Sequence, residues 1–190
     1  MGRKICCVDS KGENILKFKE LTLKGVFLIE LEKNEDERGF FARAWDKKEF
    51  ENNGLNSNLF QCNISFNKNK GTIRGMHFQK DPYAEAKTIR CTRGKVFEVL
   101  LDIRIDSPTF HKWISVELDE KKYEILYVPE GFALGFQTLS ENTELYYQMS
   151  EYYHPEKSGG IKWNDPKIQI KWPLDCSTIS KKDDSFELLG

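Results

Sequence analysis

A histidine, a lysine and a tyrosine in strand-like surroundings define the chemistry open to this sequence. His77 lies in Gly71-Thr-Ile-Arg-Gly-Met-His-Phe-Gln79, Lys87 follows shortly after, and Tyr147 lies in Glu144-Leu-Tyr-Tyr-Gln-Met149. Histidine titrates near pH ~6.5 and is the natural general base at neutral pH. Its ring needs a carboxylate to orient it, and the nearest acidic residues do not identify which one. A tyrosine hydroxyl, with a pKa of ~10, can return a proton to a carbanion-derived enolate. With strand periodicity, Ile73, Gly75, His77 and Gln79 share one face, as do Leu145, Tyr147 and Met149. The second set is apolar, which turns Tyr147 inward. Lys87 shares a face with Ile89 and Cys91. Gly75 removes a side chain beside His77 and leaves room for something to approach, and Arg74 adds a cation nearby. Taken singly, each ring is more often a satisfied core residue than a catalyst; their company is what points to chemistry.

Other polar positions are more ambiguous. Arg38, in Asp36-Glu-Arg-Gly39, is by default a solvated turn residue. Gln61 and Asn63 share a strand face and either read the edge of a base or satisfy backbone groups. The three histidines, His77, His111 and His154, are far apart in sequence, whereas a jelly-roll metal site draws several from two strands. Metal-free acid–base chemistry without a cofactor is the expectation.

The elements that must position these residues are mostly strands. A first strand is expected over 26–31 and further ones over 60–66, 73–79, 87–92, 95–104, 113–118, 124–128, 134–139 and 144–149. Arg93-Gly94 reads as a tight hairpin turn. Phe97, Val99, Leu101 and Ile103 alternate and are expected to face inward. Asp46-Lys-Lys-Glu49 has the pattern of a capping box, so a short helix is expected over 47–52, ended by Asn53-Gly54. Many strands, few helices and regular turns indicate a β-sandwich or small barrel. Residues 1–20 read as an N-terminal arm and 174–190 as a C-terminal covering segment with a short helix, within one domain spanning 1–190.

The bulk numbers restrict the function classes. The 190 residues suit one domain with a substantial core. Lys and Arg total 29 against 30 Asp and Glu, a net charge of −1, which argues against a general nucleic-acid or membrane-surface binder. No apolar run is long enough to span a bilayer, and the start of the chain fits neither a signal peptide nor a myristoylation site. The five cysteines are irregularly spaced, with no C-x-x-C pair. Reduced thiols and a cytoplasmic location are the simplest reading.

Taken in order, these segments resemble a known family. Asp36-Glu-Arg-Gly-Phe-Phe41, Ile73-Arg-Gly-Met-His-Phe-Gln79, Lys87, Asp106-Ser-Pro-Thr-Phe110, Val128-Pro-Glu-Gly-Phe132, Tyr147, Tyr152-Tyr153, and Trp163-Asn-Asp165 through Trp172-Pro173 are similar to the dTDP-4-dehydrorhamnose 3,5-epimerase family. The match covers roughly 20–185. The resemblance implies a mostly β fold, a double-stranded β-helix (cupin-type jelly roll) with a few short helices. It implies a homodimer without metal, acting on a nucleotide-diphosphate sugar that carries a 4-keto group. His77 would be the base, Asp183 the carboxylate that orients it, Lys87 the cation on the enolate oxygen, and Tyr147 the proton donor on the opposite face. Arg38, Gln61, Asn63, Arg74 and Lys182 match positions that hold the nucleotide and diphosphate, and Tyr153 a ring that stacks on the base. The chain departs from the family pattern at three positions. Leu134 stands where a histidine is usual, and Arg43 and Ser158 where glutamates are usual. These departures leave open a different sugar or nucleotide and a single epimerisation or keto-isomerisation, beside a non-catalytic binder of sugar nucleotides.

Overall fold

A computed structural model describes residues 16–189. In chain order its strands are β1 (Leu16–Glu20), β2 (Phe27–Leu31), β3 (Asn34–Asp36), β4 (Gly39–Phe41), β5 (Gln61–Asn67), β6 (Ile73–Gln79), β7 (Lys87–Arg93), β8 (Lys95–Asp102), β9 (Trp113–Asp119), β10 (Ile125–Val128), β11 (Phe132–Thr138), β12 (Thr143–Met149) and β13 (Ser158–Gly160). Two short helices accompany them, α1 (Lys47–Asn52) and α2 (Lys181–Asp184). Six strands form one antiparallel sheet in the order β1-β2-β10-β7-β12-β5, and five form another in the order β13-β6-β11-β8-β9. The fold is a mostly β, cupin-type jelly roll whose sheets face each other without closing. The hairpin β3–β4 stands apart from both.

Three apolar layers hold this arrangement. Ile89, Cys91, Leu126 and Leu145 of the six-stranded sheet meet Val96, Leu100, Leu118, Phe132 and Leu134 of the five-stranded sheet in the central core. On the far side of the six-stranded sheet, α1 buries Phe50 against Ile29, Ile125 and Tyr127. Asp46 caps this helix, its carboxylate accepting from the Glu49 N–H at 3.2 Å, which satisfies an otherwise unpartnered amide of the first turn. On the far side of the five-stranded sheet, Val99, Leu101 and Met76 pack against Ile161 and Ile168 of the C-terminal segment.

That third layer corrects one sequence expectation. Val99 and Leu101 do not face the space between the sheets; they face a layer of Ile161, Ile168, Ile170 and Trp172. The opposite face of β8, carrying Val96, Glu98 and Leu100, looks into the sandwich. Both faces of the strand are buried, so alternation alone does not say which one lies inward. A second correction concerns Arg93-Gly94. No hairpin forms there, because β7 and β8 belong to different sheets. The chain turns a corner at Gly94, φ +78°, whose N–H donates to Glu120 Oε2 at 2.9 Å. Of the arm expected over 1–20, residues 1–15 lie outside the described residues. Residues 16–20 form β1, paired along its length with β2.

The crossing between sheets that matters most is 80–86. It carries the chain from β6 in one wall to β7 in the other. Gln79 Nε2 donates to the carbonyls of Tyr83 and Tyr152 at 2.9 and 3.0 Å. Ala86 and Ser150 exchange hydrogen bonds, Ala86 N–H to Ser150 Oγ at 2.8 Å and Ser150 N–H to the Ala86 carbonyl at 3.0 Å.

Gly75 has a different role from the one its position beside His77 suggests. Its φ is +125°, a conformation that favours glycine. A Cβ here would lie 2.4 Å from the Gly135 Cα and 2.7 Å from the Leu134 carbonyl oxygen. The missing side chain makes room for the backbone of β11, not for a ligand. The β6–β11 register shifts at this point, with Leu134 opposite His77 but Phe136 opposite Arg74. Gly75→Ala is expected to cost at least about 2 kcal/mol through strain and overlap, read as a drop in denaturation midpoint with an unchanged m-value.

Candidate active site

The residues singled out from the sequence converge on the gap between the two sheets. An inner chamber of about 160 Å³ is lined by Arg74 and His77 from β6, Lys87 and Ile89 from β7, Glu98 from β8 and Tyr147 from β12, with Leu134 among the apolar walls. An outer groove of about 420 Å³ is lined by Gln61, Asn63, Tyr153, Ser158 and Lys182. His77, Lys87 and Tyr147 line both, so they stand at the passage from one to the other. His77 belongs to the five-stranded sheet, and Lys87 and Tyr147 to the six-stranded sheet. Base and acid candidates therefore approach from opposite walls.

Strand register accounts for the six-stranded wall. Tyr147 pairs with Asn63 of β5 and with Ile89 of β7, and Met149 pairs with Gln61 and Lys87. Residues paired across antiparallel strands present the same face, so these side chains line up together. Asn63 Nδ2 lies 3.3 Å from Met149 Sδ, and Gln61 Oε1 accepts from the Tyr153 N–H at 2.7 Å. On the other wall, Arg74 Nε donates to Asn67 Oδ1 at 2.7 Å. The register shift at Gly75 lets Arg74 and His77 both reach the chamber, although regular alternation would put them on opposite faces.

Asp183 completes the His77 wall from far away in sequence. Ser180 caps α2, its Oγ accepting from the Asp183 N–H at 3.0 Å. Asp183 Oδ1 lies 2.8 Å from His77 Nε2, and Oδ2 accepts from the Gly75 N–H at 3.2 Å. Burial pushes the Asp183 carboxyl up, but the hydrogen bond and charge of His77 and the Gly75 amide outweigh it, and the carboxyl sits below its ordinary value. An ionised carboxylate is acceptor-only, so His77 Nε2 carries the proton toward it and Nδ1 is left free. Phe186 meets the His77 ring edge-on at 5.9 Å, in space that a side chain on Gly160 would fill. The segment carrying Asp183 is itself pinned. Gln137 exchanges hydrogen bonds with the Leu174 backbone at 2.8 and 3.0 Å. Ile73 N–H donates to the Thr178 carbonyl at 2.9 Å, and buried Asp165 accepts from the Leu189 N–H at 2.6 Å.

Two carboxylates at the site are not among the sequence candidates. Glu85 forms a 2.9 Å ion pair with Lys87, and both side chains are largely buried. Glu98 is 2% exposed, and its Oε2 has no hydrogen-bond partner among the described residues. One signal marks Glu98: it is a charge inside the apolar run Val96-Phe-Glu-Val-Leu-Leu101. Tyr147 is shifted upward by burial; the Arg74 cation opposes this and the Glu98 carboxylate reinforces it. Its hydroxyl thus holds its proton at neutral pH and is a donor.

Arg38 is the candidate the structure does not bring in. It sits on the β3–β4 hairpin, paired with Asp36 at 3.1 Å, its side chain 77% exposed, and it lines neither chamber nor groove. Of the three departures, Leu134 lines the chamber and Ser158 the groove. Arg43 instead pairs with Asp46 at 3.1 Å. Among the described residues no three or more His, Cys, Asp or Glu side chains gather into a metal-binding group. No helix among them is long and apolar enough to cross a membrane.

Known proteins resemble this chain over most of its length. Residues 20–190 match the family model described as dTDP-4-dehydrorhamnose 3,5-epimerase. A dTDP-4-dehydrorhamnose 3,5-epimerase of Sinorhizobium fredii is 42% identical over 169 residues, spanning 88% of this chain and 87% of the relative. The crystal structure of the Bacillus anthracis enzyme of that name, with TDP and PPi bound, superposes with a TM-score of 0.89 at 38% identity, covering 92% of this chain and 100% of that one. A Legionella pneumophila dTDP-6-deoxy-D-glucose-3,5-epimerase in complex with dTDP-4-keto-L-rhamnose gives 0.86 at 34% identity, covering 92% and 93%.

The Lys87–Glu85 pair yields a stability prediction. Lys87→Met is expected to cost about 3–5 kcal/mol at neutral pH, because it strands a buried carboxylate. Urea denaturation of wild type and variant at pH 7.5 measures the difference.

Proposed function

The chain belongs to the dTDP-4-dehydrorhamnose 3,5-epimerase family, and from that premise we propose that it epimerises a dTDP-linked 4-keto-6-deoxy sugar by metal-free proton transfer between His77 and Tyr147. The observation that carries this reading is the pair itself: a carboxylate-backed histidine and a protonated tyrosine on opposite walls of one chamber. Nδ1 of His77 takes the proton from the carbon beside the keto group. The electron pair moves onto the keto oxygen as an enolate, and Lys87 stabilises the charge. Tyr147 then gives its proton to the same carbon from the other side, which inverts it; His77 releases its proton to solvent and solvent restores the phenol. In this reading Gln61, Asn63, Tyr153 and Lys182 of the outer groove hold the nucleotide and diphosphate, with Arg74 contributing from the chamber side.

A homodimer fits the surface. Exposed Ile64 and Phe66 lie on the edge strand β5, and exposed Phe41 on the β3–β4 hairpin. Unpaired strand edges and exposed apolar rings are what a partner covers. Arg38, remote from its own groove, takes part only where the hairpin reaches a second copy. Light scattering is expected to give twice the chain mass; a monomer mass at working concentration counts against the dimer.

A second reading has one observation in its favour. Leu134 puts an apolar side chain into the chamber at the position where the family resemblance leads one to expect a histidine. Inversion of one centre instead of two is consistent with that loss. Deuterium from solvent decides: a double epimerase labels two carbons of dTDP-4-keto-6-deoxyglucose, a single one labels one, and a binder labels none.

The same assay separates the roles of the two rings. His77→Ala is expected to abolish both exchange and inversion. Tyr147→Phe is expected to retain exchange while inverting about 10²–10⁴-fold more slowly, because the enolate is reprotonated on the side it came from. Equal loss of exchange in both variants would rule out a two-face mechanism. Asp183→Asn is expected to fall between them, since the imidazole remains but loses orientation and basicity.

A further inference from the structure

Glu98 is the ionisable group of the chamber to which the proposed scheme gives no task. It projects from the inward face of β8, is almost wholly buried, and makes no ion pair among the described residues. Its Oε2 has no partner among them. A buried carboxylate in that condition is costly as an anion and acceptable as a neutral acid. Burial pushes this carboxyl up to about 8, with the Lys87 charge opposing. A neutral carboxylic acid, unlike a carboxylate, has a proton to donate.

Position says what it would donate to. Glu98 lines the inner chamber and not the outer groove. On the proposed reading the groove takes the nucleotide diphosphate, so the sugar enters with its anomeric carbon outward. The edge that reaches the inner wall is the far one, around the ring carbon opposite the diphosphate. We propose that Glu98 is a specificity-determining hydrogen-bond donor for that far edge, recognising an oxygen substituent of the hexose in its protonated form. The assignment rests on the sugar-nucleotide reading and extends it to a residue outside the base–acid pair. Several groups face Glu98 across the chamber. They are Arg74 and His77 from β6, Lys87 from β7 with Glu85 beside it, and Tyr147 from β12, with Asp183 behind His77. A pH effect must therefore be separated from theirs by substitution.

The test measures the sugar's share of binding, the ratio of affinities for dTDP-6-deoxyglucose, which cannot react, and dTDP alone, by calorimetry from pH 6 to 9. In the wild type this ratio is expected to fall above about pH 8 as Glu98 loses its proton. Glu98→Gln keeps a neutral donor and is expected to hold the ratio without that fall. Glu98→Leu is expected to lower it roughly 2–13-fold at pH 7, the loss typical of one neutral hydrogen bond, with dTDP affinity unchanged. A ratio flat with pH in the wild type, or a Glu98→Leu variant that binds the sugar like wild type, overturns the proposal. If Glu98→Leu fails to fold, shown by lost dTDP binding, Glu98→Gln decides alone: a wild-type fall above pH 8 in that variant overturns it. Deuterium labelling keeps this separate from the epimerase reading. Wild type that shows the pH-dependent ratio but labels no carbon sinks the epimerase reading and keeps Glu98. Normal labelling with an indifferent Glu98→Leu does the reverse.

Discussion

The Asp183 carboxylate is kept charged in a place that disfavours charge. Burial alone would drive it to take a proton. His77 and the Gly75 amide reverse that preference, and the cost of desolvation becomes a demand for those two partners in that geometry. Because the residues are more than a hundred positions apart, the demand extends to everything that holds the C-terminal segment against the five-stranded sheet. Gln137 clamps Leu174, Thr178 bridges to β6, and Asp165 holds the Leu189 amide. None of these touches the chamber, yet each fixes the position of the carboxylate and hence of the ring.

The two walls of the site have different physical characters. The six-stranded wall follows the simplest strand geometry. Lys87, Tyr147, Asn63 and Gln61 line up because antiparallel register puts them there. The five-stranded wall is irregular. Close approach of Gly75 and Gly135 shifts the register, and that shift brings Arg74 round to the side of His77. Regular register suffices where a row of side chains must face one way. Where two residues three positions apart must share a cavity, the ladder has to break, and glycine is the residue that permits it.

This difference also explains how far the sequence could be read. The helix over 47–52 and its Asp46 cap are local features, and local chemistry encodes them completely. Alternation in β7 and β12 is equally explicit, since one face is apolar or functional and the other is not. β8 is harder, because Phe97, Val99 and Leu101 are as apolar as Val96 and Leu100. Only the presence of the C-terminal layer decides which set meets the core, and that layer is distant in sequence. With Phe97, Val99 and Leu101 as the inward face Glu98 would point outward, whereas it lines the chamber. Gly75 shows the same limit, for a missing side chain does not state what fills its space. Arg38 lies on a hairpin whose position relative to the chamber no motif records. Arg93-Gly94 has the composition of a hairpin, but whether its flanking strands pair is a property of the whole sandwich.

The crossing at 80–86 bears on how such a site could diverge. His77 and Lys87 stand on opposite walls, yet a short piece of chain joins their strands, tied at both ends to Gln79 and Ser150. That piece works as a spacer whose length sets the gap between the walls. Most loops of a sandwich tolerate insertions, because lengthening them displaces only solvent. Here an added residue would slacken the tie and change the distance between His77 and the six-stranded wall. Descendants of this chain can therefore vary the walls residue by residue, while indels at this crossing should be purged. Diversification by substitution within a fixed gauge, not by loop remodelling, is the evolutionary route such a crossing leaves open.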